Sequence, residues 1–531
     1  MARRGFAICL ALVLTCLGSG CGSSSSSSAP STPTGVAGTG TVFVVVGDSP
    51  ICDLLTTKLN VTQMVLGVAN SGNTVTLLSS LSTIIGIDLA TLEGFNTILT
   101  EQTINAGTYD RVSVSLEALS MAVYDPTQNP PIRTLSENLT TKTTPPLYNI
   151  TPPLNLGSSG VGVINMDYDL LQDVQVDSQG VTGFFNPLAK VSAPSPSPTN
   201  GFGELDGIEG FVSSVNSTSY TSGSTTFTGF VAMQLLSSSS GTGGTPGINM
   251  ALTNNTALCA QPVPPALPIS NRPCTAAPLN TILTNSYALV DGFIDSNGNL
   301  NTGTITIGPQ SNPTGANQTS FIGPVLSLTK DADGNVIGFM LYVSDAEPPA
   351  SSVSSGTAVQ VLLPSGTIYN TIPPAPAPGT TLPATNFAAL PFSASAITIG
   401  QKVVVHGVFN VPPSPLPTIV TADEVDVRLQ SYLGSFSSLL AVETDDRTGA
   451  FTLAPCATIL KQTPSALPIY VFTSPATTFV NVAGLTALRS SPMIIVKGLL
   501  FYEAQSVTIN GVTVPPGKMV LLAQQVIQTS S

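Results

Sequence analysis

In the C-terminal part of this chain one set of short motifs recurs three times at a spacing of ~110 residues, which is the mark of a repeated folding unit. Gly210-Phe211-Val212-Ser213-Ser214-Val215 returns as Gly323-Pro324-Val325-Leu326-Ser327-Leu328 and again as Gly434-Ser435-Phe436-Ser437-Ser438-Leu439. Later in each unit Val290-Asp291-Gly292-Phe293 is matched by Val405-His406-Gly407-Val408 and by Val496-Lys497-Gly498-Leu499. A third motif closes two of the units, Ala422-Asp423-Glu424-Val425 and Ala523-Gln524-Gln525-Val526. The units span 201–310, 318–430 and 431–529, and the first carries an insertion from Ser237 to Asn280. Short apolar runs rich in β-branched residues, each broken by a glycine where backbone must bend or approach closely, predict small β-barrels.

Upstream, 41–193 reads as one further β unit. Val42, Val44 and Val46 alternate with Phe43 and Val45 in a continuously apolar strand closed by Gly47-Asp48-Ser49-Pro50, as a strand buried on both faces requires. Lys58 to Val68 and Thr74 to Leu78 flank the turn Asn70-Ser71-Gly72-Asn73 and predict a hairpin. Arg111 to Glu117 alternates polar and apolar residues, as a half-buried strand does. Strands are expected over Val161 to Leu170 and around Phe184 to Val191, and Leu89 to Leu99 reads as helical. Only 8% of the 531 residues are charged and Trp is absent, which suits strands and turns better than helix bundles. The fold class expected is therefore all-β, with an N-terminal β-sandwich and about three small OB-like barrels, joined by the Pro-alternating linker Ser192 to Asn200.

Two resemblances follow from these residues. The strand ending in Gly47-Asp48, the Gly107-Thr108-Tyr109-Asp110-Arg111 lead-in and Met166-Asp167-Tyr168-Asp169 make the stretch from Gly40 to Ala193 resemble domain-of-unknown-function family four-three-eight-two. That likeness implies a bacterial lipoprotein and no established activity. The opening strand, hairpin, Gly400 to Val405 strand, central Gly and closing Ala-x-x-Val strand resemble the OB-like family of unknown function numbered five-six-six-six.

The first 20 residues read as a secretory signal. Arg3 and Arg4 precede the apolar run Phe6 to Leu17, which is too short to span a bilayer. Leu17-Gly18-Ser19-Gly20 leads into Cys21 and resembles the lipobox of bacterial lipoproteins, with Gly18 in place of the usual Leu; Cys16 is the weaker alternative. The resemblance implies lipidation at Cys21, which would make 21–40, with its serine run Ser23 to Ser28, a flexible tether. Gly22 rather than Asp after the anchor implies the outer membrane by the lipoprotein sorting rule. The chain is thus expected to be exported, to meet the membrane through Cys21, and to have an envelope protein or glycan as partner. Of the thiols left in an oxidising compartment, Cys259 and Cys274 flank a Pro-rich loop and are the disulfide candidates, while the sequence leaves open whether Cys52 reaches Cys456.

Candidate chemistry is sparse. His406 is the single histidine and sits inside an apolar strand, so a serine or cysteine nucleophile lacks its usual base and no catalytic residue is assigned. Paired carboxylates could serve a carbohydrate-active enzyme, and Asp167, Asp169, Asp173 and Asp177 cluster in sequence. Asp331-Ala332-Asp333-Gly334-Asn335 and Asp295-Ser296-Asn297-Gly298-Asn299 resemble calcium loops, although Asp-Gly and Asn-Gly are also hairpin residues. Asp48 with Asp167 and Asp169 would form another cation site if the first and last strands are neighbours. Calcium is the one cofactor these oxygens suggest, at Asp48, Asp167, Asp169, Asp331 or Asp333. A formal charge of −13 excludes a phosphate-neutralising surface, hence nucleic acid. The reading that results is a non-enzymatic binding, adhesive or scaffolding envelope protein; the alternatives are a carboxylate-based surface enzyme and a calcium-stabilised adhesin.

Overall fold

The computed structural model describes residues 38–529 except 50, 80–84, 93–95, 136–137, 140–144, 178–179, 198–200, 237–242, 255, 261–281, 283, 311–317, 348–352, 354, 372–389, 414–415 and 491–492. The first unit contains β1 (Thr39–Ser49), β2 (Leu54–Val68), β3 (Thr74–Leu78), β4 (Asn96–Asn105), β5 (Gly107–Tyr124), β6 (Leu147–Leu156), β7 (Val161–Asp169) and β8 (Lys190–Ser192). They lie in one ten-stranded sheet in the order β3-β2-β5-β6-β8-β7-β1-β4, with Ile85–Asp88 beside β2 and Ile132–Leu135 beside β5. The sheet curls over a single core that includes Val44, Val61, Val112, Val114 and Met166. The two layers expected of a sandwich are thus the two halves of one continuous sheet.

The predicted β2–β3 hairpin is present with Gly67 opposite Thr74, and in β5 the alternate residues Val112, Val114 and Leu116 are buried. The helical reading of Leu89 to Leu99 needs correction. One 3-10 turn covers Leu89–Thr91 and the strand β4 follows. So short a segment is marginal as a helix, and its β-branched Thr97, Ile98 and Thr100 instead complete the open edge of β1.

Each C-terminal unit is a closed five-stranded barrel. The first comprises β9 (Gly203–Asn216), β10 (Gly229–Leu236), β11 (Gly243–Leu252), β12 (Ser286–Ile294) and β13 (Leu300–Gln310). The second comprises β14 (Gln318–Lys330), β15 (Val336–Tyr342), β16 (Ala358–Leu362), β17 (Lys402–Asn410) and β18 (Thr418–Val427). The third comprises β19 (Gln430–Val442), β20 (Gly449–Pro455), β21 (Ile469–Thr473), β22 (Ile494–Glu503) and β23 (Lys518–Gln528). In all three the strands pair first–second–third–fifth–fourth–first, and the third–fifth contact is the parallel one. This is the Greek-key barrel of the OB type.

The recurring motifs sit at equivalent places. Gly292, Gly407 and Gly498 lie where the fourth strand bulges against the fifth. A Cβ there would stand 2.0, 2.2 and 2.4 Å from the carbonyl oxygens of Asn301, Thr421 and Leu522, so only glycine fits. A bulge leaves a ladder carbonyl unpaired. A threonine answers it in each unit: the Oγ1 of Thr256, Thr367 and Thr477 donates to the carbonyls of Thr302, Ala422 and Ala523 at 2.8, 3.0 and 2.7 Å. Each of these threonines ends a four-residue turn, its own N–H bonded back to Thr253, Pro364 or Ser474.

The units pack on one another. Phe43, Val45 and Val163, on the outer face of β1 and β7, join Ile98 and the core of the first barrel, which explains why β1 is apolar at every position from Val42 to Val46. Leu55, Ala122 and Tyr124 of β2 and β5 join Leu326 and Tyr342 of the second barrel and the core of the third. Buried Gln401 donates to the Leu500 carbonyl at 2.5 Å and ties the second barrel to the third.

Candidate functional site

The residue before the bulge glycine is polar in all three barrels, and it turns outward. In the first barrel it is Asp291, which accepts from the Gly207 N–H at 2.8 Å and the Thr304 hydroxyl at 3.1 Å. In the third it is Lys497, only 3% exposed at its side chain, whose Nζ donates to Asp206 of the first barrel at 3.1 Å. In the second it is His406.

His406 lies between Ser320 of β14 and Glu424 of β18 in register. Its Nδ1 is 2.6 Å from Ser320 Oγ and its Nε2 is 2.8 Å from Asp426 Oδ2. The ring thus bridges the serine hydroxyl and the carboxylate, with the donor and acceptor roles of its two nitrogens set by its protonation. A serine, a histidine and an acid in a line are the parts of a nucleophilic triad. Yet Ser320 is 2% exposed and lies within a strand, so no acyl group has room at Oγ in this conformation. Asn370 Nδ2 donates to Glu424, and the cluster forms a cross-strand polar network over the barrel wall.

Glu424 is pushed up to about 7, first by burial and then by the negative charge of Asp426, with His406 pulling the other way. The folded chain therefore holds this proton where the unfolded chain has lost it. Its contribution to stability is complete below pH ~4.5 and disappears as pH rises through ~7. The urea midpoint of the second barrel is expected to fall between pH 5 and 7.5, and Glu424→Gln to flatten that fall. An unchanged slope in the variant would remove Glu424 as its source.

Two concavities lie between units. One, of about 110 Å³, is lined by Ile51 to Leu55 of the first unit, Lys402 of the second barrel, and Tyr432 and Cys456 of the third. Beside it Cys52 and Cys456 form a disulfide with Cα atoms 5.6 Å apart across 404 residues. Next in sequence, Asp53 accepts from the backbone N–H of Thr458 and from its hydroxyl, the latter at 2.9 Å. The other concavity is a groove of about 920 Å³ between the second and third barrels.

Of the residues singled out in sequence, Cys21 and Cys274 lie outside the described residues, as does the pairing of Cys259, which sits in the strand Ala257–Ala260. β1 and β7 are indeed neighbours, in parallel, but Asp48 is opposite Tyr168 while Asp167 and Asp169 are opposite Gly47 and Ser49. Successive side chains point to opposite faces, so Asp48 turns into the core, where it accepts from the Leu170 N–H at 3.2 Å, and the other two face away. Asp331 takes the N–H groups of Asp333 and Asn335 and the Asn335 side-chain amide on its own oxygens at 2.8–3.0 Å, and those bonds hold its carboxyl below the usual range. Asp295 likewise accepts from the N–H groups of Asn297 and Asn299 and from the Asn299 side-chain amide, each at 2.8 Å. Both are hairpin turns closed by aspartate. Among the described residues no group of three His, Cys, Asp or Glu side chains is placed to hold a metal.

Fold and sites define an all-β protein in which a curled sheet and three five-stranded barrels are fastened through polar contacts and one disulfide. Residues 39–184 match the model of a domain of unknown function (DUF4382), which covers the first unit up to the strand Lys190–Ser192. No curated protein matches the chain.

Proposed function

We propose that the chain is an exported, lipid-anchored cell-envelope protein whose barrels serve binding or scaffolding rather than catalysis. The observation that carries the reading is the Cys52–Cys456 disulfide between the first and last units. Bonds of this kind persist in oxidising compartments and are rare in the cytosol. The Arg3-Arg4 leader, the lipobox-like run into Cys21 and the serine tether agree with it. Gly22 favours the outer membrane, and the likeness of the barrels to family five-six-six-six suits an envelope role. Against the carboxylate-enzyme alternative, the described residues that wall the large groove include no acid, whereas glycoside hydrolysis needs two. Against the calcium adhesin, the oxygens of Asp331 and Asp295 already serve their turns.

The test is mass spectrometry of the N-terminal peptide from cells fed an alkyne fatty acid. A diacylated peptide beginning at Cys21, absent from Cys21→Ser, is expected in the membrane fraction. An unlipidated chain in the cytosol would overturn the proposal.

A further inference from the structure

The groove between the second and third barrels has walls from both. One is the hairpin joining β14 to β15 with the segment after β16; the other is the loop that joins β22 to β23 around Tyr502 and Gly517. In barrels of this type the first–second and fourth–fifth loops are the ones that meet ligands, and here one loop of each kind, from two different barrels, faces a shared space. Its volume of about 920 Å³ is at the upper end of ligand clefts.

Below it an aromatic ladder crosses the boundary. Tyr369 meets Phe392 edge-on at 5.9 Å, and Phe392 meets Phe501 at 6.1 Å. Phe501 is buried and directly precedes Tyr502. The groove itself is lined by one tyrosine from each barrel, Tyr369 of the second and Tyr502 of the third. The walls also carry the polar side chains of Asn335, Ser395 and Thr463 beside the aliphatic ones of Leu328, Leu363 and Ile397. Among the described residues the only charged side chain in the lining is Lys330.

From this we infer that the groove binds an uncharged oligosaccharide. Sugar rings present an apolar C–H face to a phenol ring and a rim of hydroxyls to amides and hydroxyls, which is the mixture the walls provide. One lysine on a chain of charge −13 does not attract a polyanion. A peptide added as an extra strand needs an open sheet edge, and the barrels are closed. The inference rests on the non-catalytic binding reading above.

The experiment titrates the full lipid-bearing protein in detergent micelles with hexamers of β-1,4-linked N-acetylglucosamine, β-1,4-linked glucose and α-1,4-linked glucose, with a neutral octapeptide as control. At least one hexasaccharide is expected to bind. Tyr502→Ala and Ser395→Trp, which fills the groove from an exposed position, are each expected to weaken it tenfold or more, Ser395→Trp with the melting temperature unchanged. Absence of binding by all three at millimolar concentration, binding of the octapeptide instead, or saccharide binding unaltered in both variants would overturn the inference. Mass spectrometry of the saccharide after titration separates the two readings. Shortened chains whose formation Ser395→Trp blocks would keep the groove and overturn the non-catalytic reading, while intact chains bound equally by both variants would overturn the groove alone.

Discussion

Replacing Cys52 and Cys456 together by serine is expected to uncouple the first unit from the third barrel and to lower the transition in which they part by about 10 °C. A crosslink stabilises chiefly by restricting the unfolded chain, and for a closed loop of 404 residues the chain-entropy relation reaches about 6 kcal/mol at room temperature. That figure is an upper bound here, because the first and second barrels lie inside the loop and stay compact when only the contact opens. A loss of about 3–4 kcal/mol is the expectation, and 1 kcal/mol moves the melting of a unit of this size by about 2–4 °C. The contact retains the Asp53–Thr458 bonds and the packing of Leu55 and Tyr124 on the third barrel, so the variant should fold. Calorimetry is the measurement. In the native protein the first unit and the third barrel are expected to melt together, and in the variant to separate into two transitions. A single transition within 2–3 °C of the native one would mean that apolar packing alone holds the units.

What the sequence made legible follows from how local the cause is. The bulge glycines could be found because a steric demand repeated three times leaves the same letter in the same place, as at Gly292, Gly407 and Gly498. The threonines that answer the bulges, Thr256, Thr367 and Thr477, obey an equally strict rule, but the turns before them share no residue type, so the signal was one letter deep. The apolar run of β1 announced burial on both faces, though not that its second face is closed by the first barrel. The Asp48, Asp167 and Asp169 grouping was conditional on neighbouring strands; they are neighbours, yet a parallel register with Asp48 opposite Tyr168 divides the three between two faces. Parity across a pair of strands is set by tertiary packing and has no local mark. Cys52 and Cys456 lay beyond reach for the same reason, as did the groove, whose two walls are contributed by loops that become neighbours only when two barrels dock.

The buried pair of Lys497 and Asp206 carries the other large effect, and its sign depends on how it is broken. Lys497→Met leaves Asp206 without its cation while Asp291 and Glu204 still repel it, and removing one partner of a buried pair costs about 3–5 kcal/mol. Burial already outweighs the lysine: Asp206 stands up to about 6, with desolvation the largest cause, Lys497 opposing it, and Asp291 and Glu204 adding to it. A folded-state value above the unfolded one means that this group's contribution is complete below pH ~4 and is lost as pH rises through ~6. The penalty of Lys497→Met should accordingly be greatest at pH 7.5 and shrink at pH 5, where Asp206 keeps its proton. Adding Asp206→Leu should return stability to the native level or above, since an apolar pair of similar volume avoids desolvating two charges. Urea titrations of the four proteins of this cycle at both pH values provide the check. If the double variant is as weak as Lys497→Met alone, the lysine matters through its packing against the first barrel and the charge argument fails.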